Sequence, residues 1–259
     1  NSVDLNFYPG NSSINSWSTG VFDVYLNDND GTRIYHQLGP DFKLNYDTTS
    51  FGASYTDYTE ILRPKDFLGI ITNRRYDYDN WQVDFSNSTL QTATFRASYR
   101  QGKALNLVPN KGVLPYVADT SRFDLSFFWR PINRLQVNNS YFLTELENKD
   151  TGTKIFTNKI LRSNWNYQFT KELSLRFITQ YDETDAGPAT RLEDDENLNF
   201  DLLLRYVINP WSAFYLGYNS NQSNFDIVEI EGERELVMAN HLRRDGDQVF
   251  IKFSYLFQR

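Results

Sequence analysis

The chain has 259 residues, 40% of them hydrophobic, 16% aromatic and 23% charged, with a mean hydropathy of -0.58. No stretch approaches the roughly 18 consecutive apolar residues of a membrane-spanning helix. Zero cysteines exclude disulfides, thiolate nucleophiles and cysteine-held zinc or iron–sulfur clusters, and a net charge of -7 argues against a general nucleic-acid binder. Yet Trp 5, Tyr 17 and Phe 20 are the opposite of a disordered composition. A polar chain crowded with aromatics needs an architecture that exposes both kinds of side chain.

Taken in chain order, nearly every segment alternates with period 2, the signature of strands. A partial strand at residues 2–8 is followed by twelve more, at about 17–27, 32–46, 49–59, 76–87, 89–100, 119–130, 134–145, 154–168, 171–182, 196–208, 211–221 and 246–258. The alternation is clearest late in the chain. Leu198, Phe200, Leu202, Leu204, Tyr206 and Ile208 form one face of a strand, and Asn197, Asn199, Asp201, Leu203 and Arg205 the other. Phe123, Leu125, Phe127 and Trp129 oppose Asp124, Ser126 and Arg130, and Val249, Ile251, Phe253, Tyr255 and Phe257 oppose Gln248, Lys252 and Ser254.

The connections alternate as well. Compact turns are expected near 9–15, 46–50, 86–90, 131–134, 169–172 and 209–211. Longer polar connections are expected at 27–32, 60–75, 101–120, 147–153, 183–195 and 222–245. Short turns at one end and long loops at the other are the pattern of an outer-membrane barrel. Strands of about 10 to 14 residues suffice for a tilted crossing of the hydrocarbon layer, whereas strands of soluble sandwiches are usually nearer 5–6.

The expected fold is therefore all-β: an antiparallel up-and-down transmembrane β-barrel across residues 1–259, set in the bacterial outer membrane. Such a barrel carries its apolar residues outside and its polar ones inside, which keeps the mean hydropathy low. Barrels of this kind have even strand numbers, so thirteen strands suggest the C-terminal portion of a larger barrel, with upstream strands and any N-terminal domain absent. Trp129, Tyr167, Phe169, Tyr206 and Trp211 sit beside the short turns, where an aromatic girdle would meet the membrane interface.

The segment ILRSNWNYQFTKELSLRFITQYD at 160–182 resembles the C-terminal barrel of a bacterial outer-membrane family with an N-terminal family 9 carbohydrate-binding-like domain, whose members are labelled membrane-associated hydrolases of unknown function. The loop at 64–75, the hairpin at 197–219 and the ending VFIKFSYLF at 249–257 agree with it. The resemblance covers about the last 200 residues and implies architecture and location. It supplies no catalytic residues, and the carbohydrate-binding-like domain is not in this chain. The ending also departs from the usual pattern, because Gln258 and Arg259 follow the last aromatic, Phe257.

Nine charged residues fall on the polar faces of their strands: Arg96, Arg100, Asp124, Arg130, Arg162, Arg176, Asp201, Arg205 and Lys252. They are candidates to line a lumen that selects or binds solutes. The alternative is a network of ion pairs that fills the barrel and makes it rigid. No catalytic set, cofactor site or metal site is expected. The two histidines, His36 and His241, read as isolated residues on or near polar loops. NDNDG at 27–31 fails the calcium-loop pattern, because Leu26 and Gln37 would stand at its first and twelfth positions. EDDE at 193–196 reads as a solvated acidic loop. Loop 101–120, with Leu107, Val108, Val113 and Leu114, either packs on a partner or on the protein itself, or folds inward as a constriction.

The expected function is a solute channel or solute-binding barrel, not an enzyme. The alternatives are a structural barrel that anchors or scaffolds a larger assembly, and a secreted all-β glycan-binding protein. The expected partners are the lipid bilayer and lipopolysaccharide, the barrel-assembly machinery, and another subunit or an upstream domain, with no nucleic acid.

Overall fold

The structure, a computed structural model, describes residues 1–10, 13–230 and 233–255. Phe257 and the two residues after it lie outside this range. The described residues form one antiparallel sheet of thirteen strands, each hydrogen-bonded to its neighbours in sequence. The strands are β1 (Ser2–Phe7), β2 (Ile14–Asn27), β3 (Arg33–Tyr46), β4 (Thr49–Leu62), β5 (Arg74–Asn87), β6 (Ala93–Asn106), β7 (Tyr116–Ile132), β8 (Leu135–Glu147), β9 (Lys154–Gln168), β10 (Leu173–Ala186), β11 (Asp195–Asn209), β12 (Ser212–Ile230) and β13 (Glu233–Tyr255). All thirteen expected strands are present. Among the described residues β1 and β13 do not pair with each other.

Turn chemistry sets the two ends apart. At one end β3 and β4 are joined by Asp47 and Thr48 alone, and the left-handed backbone of Asp47 (φ 50) closes the turn. Residues 133–134 and 210–211 make equally short links. The opposite end carries the longer loops at 63–73, 107–115 and 187–194.

These loops are shorter than expected because the strands run further. The largest departure is residues 222–245, which the sequence pattern assigns to a polar loop. Among the described residues, 222–230 and 233–245 instead continue β12 and β13 as a paired ribbon, with Phe225 opposite Met238 and Asp226 ion-paired to Arg243. Cross-strand pairs of this kind stabilise a ladder without a buried face, which is why hydropathy alone did not mark the segment as strand.

The register gives every strand two chemically opposite faces. On one face a row across β4–β8 reads Ala53, Val83, Tyr99, Phe123 and Leu143. The row continues through Lys159, Glu183 and Glu196 on β9–β11. Moving one pair toward the short turns restores apolar residues there: Leu161, Tyr181 and Leu198. The apolar band thus runs obliquely across the rows, so the strands are tilted against it. Tilt and stagger of this sort accompany sheets that close into barrels.

The band is also solvent-facing. Phe42, Phe51, Val83, Leu161, Trp165, Leu202, Val249, Ile251 and Phe253 all lie in it and all are exposed. The buried hydrophobic cluster is small by contrast. It joins Ala118, Leu146 and Ile155 at the long-loop end, packed by Ala104, Tyr116, Phe156 and Ala189.

Candidate functional site

The polar face carries the groove. A row on this face reads Lys43, Gly52, Asp84, Ser98, Asp124 and Phe142 from β3 to β8. The row beside it, toward the short turns, contains Ser50, Ser86, Arg96 and Ser126. Short side chains leave a depression of about 730 Å³ lined by these residues together with Phe22, Asp41 and Ser54. Gly52 contributes directly, since a Cβ there would stand 3.3 Å from the Cβ of Asp84. The groove therefore mixes five charged groups, Asp41, Lys43, Asp84, Arg96 and Asp124, with the aromatic rings of Phe22 and Phe142 from the polar face, and Phe42 and Phe85 also border it.

Hydrogen bonds orient several of these groups. The Arg100 guanidinium donates from Nε to Gln82 Oε1 at 2.9 Å, and Gln82 Nε2 donates to Asp84 at 2.8 Å. Arg122 Nε donates to Asp124 Oδ1 at 2.9 Å. Asp201 accepts from Asn219 Nδ2 at 2.7 Å. Toward the long-loop end the same face holds Tyr58 stacked on Tyr78, with ring centroids 5.0 Å apart, and Tyr35 beside them at 6.3 Å from Tyr58. The Tyr78 hydroxyl donates to Glu60.

The nine charged residues singled out from the sequence all lie on this polar face. Arg96 and Arg162 share one row, separated by Ser126 and Ser140. Arg205 stands beside Tyr215, which pairs with Lys252. Arg176 pairs with Leu203, one step from Asp201. Arg130 lies over the Phe128 ring at 6.0 Å. Only Arg96 and Asp124 of the nine reach the groove itself.

Sequence reading missed Asp41, Lys43 and Asp84. The alternation of β3 is broken where Gly39 and Pro40 interrupt its pairing with β4, because proline has no N–H for the ladder. Beyond the break, Asp41, Lys43 and Asn45 alternate with Phe42 and Leu44, and that was the available signal.

The girdle candidates sit at the short-turn edge of the apolar face. Trp129, Tyr167 and Tyr206 pair there with Val137, Leu135 and Leu173. Phe169 meets the Tyr167 ring edge-on at 4.7 Å, and Trp211 is half exposed beside its turn. A second aromatic set, Tyr55, Trp81, Tyr99, Tyr141, Tyr181 and Tyr218, marks the opposite margin of the band. Beyond it the same face turns acidic with Asp57, Asp79, Glu145 and Glu183.

His36 is not isolated: its Nε2 stands 2.7 Å from Asp23 Oδ1, a cross-strand contact on the apolar-band side, beyond Val21. His241 lies exposed in β13. Residues 28–32 form the polar connection expected at 27–32, closed by Asp28 N–H to Thr32 O at 2.8 Å, with Gly31 at φ 83. Among the described residues no group of three or more His, Asp or Glu side chains is arranged to hold a metal ion.

The long loops lock together. Thr190 Oγ1 donates to Val108 O at 2.6 Å, Asn110 Nδ2 donates to Pro188 O at 3.0 Å, and Gly187 N–H donates to Ile155 O at 2.8 Å. Gly187 has no room for a side chain, as a Cβ would lie 2.0 Å from Lys154 O. Ala189 packs on the cluster of Ala118, Leu146 and Ile155, of which Ala118 and Leu146 belong to the polar-face side of β7 and β8. Loop 107–115 thus packs on the protein itself, and loop 187–194 folds over the polar face.

Loops 28–32 and 63–73 are joined by charge. Arg63 holds both Asp66 oxygens, at 2.7 and 2.8 Å, and also bonds Asp28, which accepts from Lys65 Nζ at 2.8 Å. The Lys65 hydrogen bond, the Asn29 N–H and the Arg63 charge hold the Asp28 carboxyl at about 2, below its usual 3.8. Hydrogen bonds from the Arg63 side chain and its backbone N–H hold Asp66 at about 2 as well.

The class that this fold defines is an all-β, antiparallel, up-and-down protein. No protein-family model matches the chain, and no curated protein matches it, so the likeness to the carbohydrate-binding-like family rests on the sequence segments alone. Among solved structures, the chain is similar to outer-membrane expressed OmpT of Vibrio cholerae (TM-score 0.40, 10% identity, covering 98% of this chain and 94% of that one). It is also similar to a Pseudomonas aeruginosa FadL homologue (TM-score 0.36, 12% identity, covering 98% and 77%) and to the Pseudomonas putida toluene transporter TodX (TM-score 0.31, 12% identity, covering 98% and 82%).

Proposed function

We propose that this chain is an outer-membrane β-barrel protein that passes or binds a small solute along its polar face. The observation that carries the reading is the oblique, solvent-facing apolar band between two aromatic margins, backed by a polar face with a charged groove. In water, such a band is a large exposed apolar surface, which soluble monomers avoid. In a bilayer it is the surface that lipid covers, with aromatics at both interfaces. The expected partner on that side is therefore the lipid bilayer itself.

With the band toward lipid, the polar face turns inward. Arg96, Arg100, Asp124, Arg130, Arg162, Arg176, Asp201, Arg205 and Lys252 then line the lumen, joined by Asp41, Lys43 and Asp84. The groove's mixed lining suits a solute with both ionic and apolar parts, since convergent polar groups fix orientation while aromatic walls supply contact area. These residues bind and orient a solute; no catalytic set is assigned to them.

The test is reconstitution. The purified chain is expected to need detergent, to show heat-modifiable mobility on gels, and to give conductance steps in planar bilayers. A monodisperse, detergent-free protein would overturn the membrane reading in favour of a secreted glycan-binding protein. Silence across salts in a correctly inserted protein would overturn the channel reading and favour the scaffold.

A further inference from the structure

We infer that the long-loop end holds a second site, a capture site for an amphipathic anion: an apolar chain bearing a carboxylate or a similar single negative charge. A cavity of about 810 Å³ opens between loops 63–73 and 107–115, with Arg191 of loop 187–194 at its margin. That volume lies within the range of small-molecule sites.

The walls are apolar: Phe67, Leu68, Pro109, Val113 and Leu114. Leu68 is 97% exposed and Ile71, in the same loop, is 89% exposed. Leu68, which lines the cavity, thus leaves its side chain open to an apolar ligand. Pro109, in contrast, is fully buried and fixes the floor.

The charge left free in the cavity is positive. Asp66, its carboxylate, is engaged bidentately by Arg63. Arg191 lies over the Phe67 ring at 5.8 Å, and its Nη2 reaches only the carbonyl of Leu107, at 3.5 Å. Lys111 lines the cavity too. Among the described residues neither Arg191 nor Lys111 has a carboxylate within ion-pair distance. An uncommitted guanidinium beside an apolar wall matches a ligand with one anionic head and an apolar tail. The ties from Thr190 and Asn110 hold the cavity in shape without a ligand, so binding need not order the loops.

The site extends the solute-binding reading but does not depend on conductance. The experiment uses the whole protein in lipid nanodiscs, with a dansyl-labelled undecanoic acid as the probe, displaced by octanoate or by octanol. Saturable binding is expected, with octanoate displacing better than octanol. Arg191→Gln should weaken displacement by octanoate about tenfold and leave that by octanol unchanged. Leu68→Asp, at a fully exposed position that packing does not constrain, should weaken both. Equal displacement by acid and alcohol, or full binding in both variants, would overturn the inference. A protein that binds the probe but never conducts would keep this site and refute the channel. A protein that conducts and ignores the probe would do the reverse.

Discussion

The two faces of the sheet obey opposite rules although they alternate residue by residue along the same strands. Leu202 and Leu203 are adjacent in β11. Leu202 pairs with Phe177 and Tyr218 within the exposed apolar band, whereas Leu203 pairs with Arg176 and Gly217 on the polar side. On the proposed reading, exposure on the apolar band means contact with lipid, whereas exposure on the polar face means contact with water. What surrounds a residue is decided by which face it occupies and by how far along the tilted band it sits.

The strongest way to break this contrast is to place a charge on the band. Leu202→Arg is expected to cost about 2–4 kcal/mol of stability in lipid vesicles, the depth-dependent penalty for a cation facing lipid. Leu203→Arg should cost far less. Denaturant unfolding in vesicles reads both, and equal costs would mean that the faces are wrongly assigned.

At the margin of the band, Phe169→Ala removes the edge-on contact with Tyr167. The expected loss is about 0.5–1.5 kcal/mol beyond the lost area, measured by the same unfolding experiment. A comparable loss, about 1 kcal/mol, is expected at the loop end for Thr190→Val, which deletes the hydrogen bond to Val108. It should show as faster proteolysis confined to loops 107–115 and 187–194, with the strands unaffected.

On the polar face the expected change is in selectivity rather than stability. Replacing Arg96 and Arg162 together with glutamine should shift the reversal potential in a salt gradient toward cation preference. An unchanged potential would remove these two side chains from the solute path.

The smallest effect is the pH response of the loops. Asp28 and Asp66 both titrate at about 2 when folded, against the usual 3.8. Carboxyls held low contribute stability above their unfolded value and lose it as pH falls through the folded one. The tie between loops 28–32 and 63–73 should therefore be intact at neutral pH and weaken as pH falls from about 4 to about 2. Hydrogen exchange in those two loops would record it, and protection that does not change over this window would contradict the assignment.

Much of this architecture was legible in the amino-acid sequence, because period-2 alternation and turn chemistry are local. Leu198 to Ile208 and Val249 to Tyr255 declare their two faces with no knowledge of neighbours, and the polar-face position of Arg96 or Arg205 follows directly. The charged part of the groove in β3 was less visible, since Gly39 and Pro40 interrupt the pattern that would have placed Asp41 and Lys43. The extension of β12 and β13 within residues 222–245 was read as loop because its stabilising pairs lie across strands.

Sequence by itself determined the thirteen strands seen among the described residues, their antiparallel order and the chemistry of each face, since each depends on neighbouring residues along the chain. Only the tertiary structure decided the obliquity of the band, the groove across β3–β8 and the locking of the long loops. Those features depend on register between strands and on contacts such as Thr190 with Val108, whose partners are distant in sequence and are brought together only by the pairing of the whole sheet.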